Sequence, residues 1–76
     1  MSIEENAFWA DLYQFRKYFD NPNDTDAFWE ELIRVAGILR AKYMHCEFNK
    51  NDFVNKMIFQ VIEVIEAKYK EQRSQK

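Results

Sequence analysis

Between Asp24 and Tyr43, in DTDAFWEELIRVAGILRAKY, the residues Phe28, Leu32, Val35, Ala36, Leu39 and Tyr43 fall at offsets of 0, 4, 7, 8, 11 and 15. A strand alternates its faces every second residue, whereas this spacing lines up one face of an α-helix. The stretch is therefore predicted to be an amphipathic helix of about four turns, with its apolar stripe turned to a core. Asp24 or Thr25 is positioned to cap it. Asp26, Glu30 and Glu31 load its early turns with negative charge, and Arg40 and Lys42 lie near its end. Both choices complement the helix dipole. Gly37 interrupts the pattern, at a cost of about 1 kcal/mol relative to alanine. Either another backbone approaches closely there or the position is a tolerated weak point.

The same period recurs on both sides. Ser2-Ile3-Glu4-Glu5 fits a capping box, with Ser2 and Glu5 exchanging hydrogen bonds. After it, Phe8, Leu12, Phe15 and Phe19 share one face. Trp9 and Tyr13 widen that face beyond what one partner helix covers. Asp20-Asn21-Pro22-Asn23-Asp24 breaks the chain, because a residue before proline avoids the α conformation and Asp and Asn favour turns. A second connection spans His45–Asn51, with Asn49 or Asn51 as cap and Asp52 in the next first turn. Val54, Met57, Ile58, Val61, Ile62, Ile65 and Tyr69 then mark a third buried stripe, broadened by Phe53 and Val64. Glu66 and Lys70 are spaced for a helical ion pair.

The predicted fold is all-α: a small antiparallel three-helix bundle forming one domain over residues 1–76. The helices are expected at about 3–19, 25–44 and 52–71, with a frayed tail at 72–76. One glycine and one proline in 76 residues leave little room for a turn-rich β architecture. With one cysteine there is no intrachain disulfide, so a chain this short depends on its core. Its 17% aromatic content supplies that core, since rings bury much area per residue. No apolar run approaches a membrane span. The N-terminal MSIEENAFW is acidic where a signal peptide is basic, so a cytoplasmic location is expected.

Ala7-Phe8-Trp9-Ala10-Asp11-Leu12 and Ala27-Phe28-Trp29-Glu30-Glu31-Leu32 share the pattern A-F-W-x-acid-L. One matched hexamer falls short of a repeat signature. The simpler expectation is that two helices pack their first turns with the same aromatic pair.

Chemistry is absent from the pattern. His45-Cys46-Glu47 gathers three ligand types, but consecutive residues do not face one metal, and the chain holds no second His or Cys. Asp20, Asp24 and Glu31 match calcium-loop positions, yet Pro22 replaces a ligand and Thr25 replaces the obligatory glycine. No glycine-rich phosphate loop exists. The carboxylates are expected on helix faces without a concave site. These points argue against an enzyme, and no catalytic residue, cofactor, metal or small-molecule substrate is expected.

Charge is uneven. Residues 1–31 carry eight acids and two bases, net −6, whereas residues 32–76 carry five acids and nine bases, net +4. The simplest reading is that the acidic part folds against the basic part. The sharper one is an acidic inhibitor that occupies a basic, nucleic-acid-binding surface of a partner. Direct DNA binding is a weaker reading: the pI of about 5.3 runs against the usual footprint, and only Lys50 and Lys56 are basic near the start of the third helix.

The run FW-x-D-L-Y-x-F-R-K-Y-F, then N-P-x-D-x-D-x-FW-E-E-L, then A-K-Y, resembles a group of short helical proteins of uncharacterised role encoded in prophages and integrative elements of Gram-positive bacteria. The resemblance spans about residues 8–69. It implies an accessory protein of a mobile element and brings no activity or functional residues.

The leading functional expectation is a protein–protein interaction module, self-associating as a homodimer or binding another protein. Trp9, Tyr13, Trp29, Ile33 and Ile38 lie off the main stripes and are the expected interface residues.

Overall fold

The computed structural model describes residues 2–74. Helix α1 spans Ile3–Tyr18, α2 spans Asp26–Tyr43 and α3 spans Phe53–Ser74; the described residues contain no strand. All three helix pairs pack against one another, in a body 45 × 20 × 20 Å.

Local chemistry explains each start. Ser2 caps α1, its hydroxyl accepting from the Glu5 amide at 3.0 Å. Only half of the expected box forms, because the Glu5 carboxylate turns to the Trp9 indole, whose N–H donates to it at 3.4 Å. Thr25, rather than Asp24, caps α2 by accepting from the Phe28 amide. The third start is built differently. Asn51 and Asp52 adopt left-handed conformations, with φ of 56° and 60°. Asn and Asp tolerate that region better than other non-glycine residues. Asp52 therefore precedes α3 instead of opening its first turn. Asn49 holds the turn from both sides: its amide donates to the Met44 carbonyl at 2.9 Å, and its side-chain oxygen accepts from the Val54 amide at 2.9 Å. At the other end, α3 continues through Ser74, past the frayed tail expected from Gln72. Gln75 and Lys76, the rest of that tail, lie outside the described residues.

The stripes meet in one core: Phe8, Leu12, Phe15 and Phe19 from the α1 side, Leu32, Leu39 and Tyr43 from α2, and Val54, Ile58 and Ile65 from α3. Each such side chain contributes roughly 1.5–3 kcal/mol when fully buried. Val64, expected to broaden the α3 face, is exposed.

Aromatic pairs fix the helix directions. Phe8 meets Tyr43 at 5.3 Å, and Phe19 meets Phe28 at 5.4 Å, so α2 runs antiparallel to α1. Trp9 meets Phe53 at 5.8 Å, and Lys68 reaches Asp20, so α3 runs parallel to α1. The topology is up-down-up. It explains the A-F-W echo without a duplication. Phe8-Trp9 closes one end of the bundle against Tyr43, Phe48 and Phe53, and Phe28-Trp29 closes the other against Phe19 and Tyr69. Edge-on pairs of this kind add about 0.5–1.5 kcal/mol beyond their burial.

Candidate protein-interaction surface

The charge asymmetry is used inside the molecule. Asp11 of α1 accepts from the Lys42 ammonium at 2.9 Å and from the Tyr43 hydroxyl at 2.6 Å. Asp20, just past α1, accepts from Lys68 of α3 at 3.0 Å. Both pairs join the acidic first part to the basic second part. The tyrosine hydroxyl, with help from Lys42, holds the Asp11 carboxyl below the usual carboxylate range. Burial and the Asp11 carboxylate push the Tyr43 phenol up. A third pair, Glu31 with Arg34, lies within α2 and lowers the Glu31 pKa. Glu66 and Lys70, spaced for a pair, do not form one.

The five residues expected at an interface separate into three regions. Trp9 and Tyr13 share one side of α1, facing the α1–α3 junction. Trp9 leans on Phe53 and is 37% exposed, and Tyr13 is 62% exposed. Trp29 is half-buried at the α2–α3 junction, edge-on to Phe28 at 4.9 Å and to Tyr69 at 5.4 Å. Ile33, one turn along, is 68% exposed. Ile38 lies on the opposite flank of α2, in a groove against α1. These five residues do not make one patch.

That groove is the more informative feature. It encloses about 560 Å³, with Phe15, Val35 and Leu39 at its base and Tyr18 and Ile38 on its lips. Tyr18 is 72% exposed and Ile38 55%. Asp11, Glu31, Arg34 and Lys42 also line it, so two carboxylates do border a concave site, contrary to the expectation of plain helix faces. Both are held by the bases beside them. Lys17, also in the lining, makes no ion pair among the described residues.

Tyr18 and Phe59 were missed in the sequence. Tyr18 adjoins Phe19 and reads as an extension of the core stripe, although its seven-residue spacing from Asp11 sets it on the flank. Phe59 interrupts the polar stripe Lys56, Glu63, Glu66, Lys70 of α3, which is the signal that would have found it.

The other candidates are occupied by structural roles. Glu4 and burial push the Cys46 thiol up, away from the reactive thiolate. Of the calcium-like positions, Asp20 binds Lys68 and Glu31 binds Arg34, while Thr25 caps α2. Among the described residues, no group of three or more His, Cys, Asp or Glu side chains is placed to hold a metal ion. Among the described residues, no helix is long and apolar enough to cross a membrane.

The fold and surface define a small all-α bundle with an open interhelical groove. Comparison with family models, curated proteins and solved structures finds no match.

Proposed function

We propose that this chain is a non-enzymatic protein–protein interaction module that associates with copies of itself. The carrying observation is the α1–α2 groove, whose apolar base is left open and whose lips present Tyr18 and Ile38 to solvent. An exposed apolar groove rimmed by polar groups is the kind of surface that proteins bury against a partner. Asp11 and Asp20 are engaged within the chain, which favours this reading over an acidic decoy for a basic surface. The resemblance to helical proteins of prophages and integrative elements suggests the setting, an accessory protein of a mobile element acting in the cytoplasm.

Sedimentation equilibrium from micromolar to near-millimolar concentration tests the proposal. A weight-average mass that rises with concentration is expected. A constant monomer mass contradicts self-association.

A further inference from the structure

We infer that two copies of this chain pair through the outer face of α2, antiparallel about a two-fold axis, with Ile33 of each copy seated over Gly37 of the other and Glu30 facing Arg40. The inference rests on the self-association proposed above and assigns it a surface apart from the groove.

Asp26, Glu30, Ile33, Gly37, Arg40 and Met44 follow along α2 at alternating spacings of four and three, and all are exposed. That alternation lines them up as one seam, the spacing by which one helix meets another. Ile38 and the groove lie on the other flank of α2, so seam and groove are separate surfaces. Ile33 is 68% exposed and Met44 44%. Nothing lies within 4 Å of the point where a Cβ on Gly37 would stand. Glycine weakens a helix, and no group of the same chain uses the hollow it leaves. A projecting Ile33 and a hollow one turn further on are the two halves of a helix–helix contact.

Charge sets the direction. Glu30 and Arg40 are exposed and make no ion pair among the described residues. A parallel pairing would set Glu30 against Glu30 and Arg40 against Arg40. Glu30 lies three residues before Ile33, and Arg40 three after Gly37. An antiparallel pairing that puts Ile33 over Gly37 therefore brings Glu30 of each copy opposite Arg40 of the other. The two-fold axis makes this pair twice and closes the assembly as a dimer. Asp26 falls opposite Met44, at the open ends of the seam. Arg34 and Lys42 are held by Glu31 and Asp11 on the groove flank. Beside the seam on α3, the exposed Lys56, Glu63, Glu66 and Lys70 carry two charges of each sign and add no net charge to it. Complementary charges of this kind fix register and partner more than they add affinity. One helix face is a small interface, so the dimer is weak and reversible.

Charge exchange tests the pairing. Glu30→Arg and Arg40→Glu each set like charges opposite one another across the seam. Each variant alone is expected to self-associate about tenfold more weakly than the parent chain. Both positions are exposed, and far-ultraviolet dichroism checks that each variant stays helical. An equimolar mixture of the two is expected to form a heterodimer at about the parent affinity, since every acid in the seam pair then faces a base again. The double variant should recover in the same way, and both recoveries should weaken with added salt. Ile33→Ser empties the middle of the seam without changing its charge; it serves should a reversal unfold, and a loss of about tenfold is expected from it too. A parent chain that associates while these variants match it, or a mixture of the reversals that shows no recovery, overturns the α2 pairing and leaves the proposed function standing. A parent chain that stays monomeric overturns both.

Discussion

The Tyr43 hydroxyl donates to Asp11 Oδ2 at 2.6 Å, and the same carboxylate oxygen accepts from Lys42 at 2.9 Å. Tyr43 is otherwise buried, so this contact lets an aromatic core residue of α2 keep its polar end satisfied at the rim of the groove. Hydrogen bonds to charged groups are worth about 1.5–3 kcal/mol, and partial exposure lowers that. Tyr43→Phe is expected to cost about 1–2 kcal/mol in urea unfolding at neutral pH. An unchanged midpoint would show that the contact is not formed in solution.

The same contact carries a pH dependence. Asp11 has its pKa lowered from 3.8, first by the Tyr43 hydrogen bond and then by Lys42. A carboxylate whose pKa is depressed by folding stabilises the native state above its unfolded pKa and loses that contribution as pH falls through the folded value. Asp11→Asn should therefore be less stable than the parent chain at neutral pH. The gap should narrow as pH drops below 3.8. Thermal melts of both proteins across that range check the sign; a gap that widens in acid contradicts it.

Gly37 has nothing within 4 Å of the position a Cβ would take, and it lies inside α2. Of the two readings open in the sequence, close backbone approach or tolerated weak point, the structure supports the second. Gly37→Ala should stabilise the protein by about 0.5–1 kcal/mol, which in a domain of this size raises the melting temperature by roughly 2–8 °C. A lower melting temperature would mean that the site is crowded.

Asn49 ties the end of α2 to the start of α3 through Met44 and Val54. Asn49→Ala removes both bonds, and a loss of about 1–2 kcal/mol is expected, the upper part of the range for a helix cap. Amide hydrogen exchange should show the first turn of α3 opening more readily than the first turn of α1. Equal protection of the two turns would remove Asn49 from this role.

The helices were legible because their buried stripes are regular. Phe8, Leu12 and Phe15 on α1, and Val54, Ile58 and Ile65 on α3, repeat at helical spacing and are buried as that spacing implies. What lies beside a stripe was harder to read, because one helix does not reveal the azimuth at which its neighbours pack. Trp29 illustrates this. It flanks the α2 stripe and looked like an interface anchor, yet antiparallel packing sets it edge-on to Tyr69, forty residues later in the chain. Tyr18 and Ile38 come together across the α1–α2 groove for the same reason, and no local pattern links them.

Transfer of amide signals in a concentration series of nitrogen-correlated magnetic resonance spectra tests the interaction account most directly. Shifts that grow with concentration are expected along the α1–α2 groove, at Lys17–Tyr18 and Val35–Ile38, while core amides such as Leu12 and Ile65 stay fixed. A spectrum that does not change up to millimolar concentration, or one whose changes gather at Trp9 and Trp29 instead, would contradict the account.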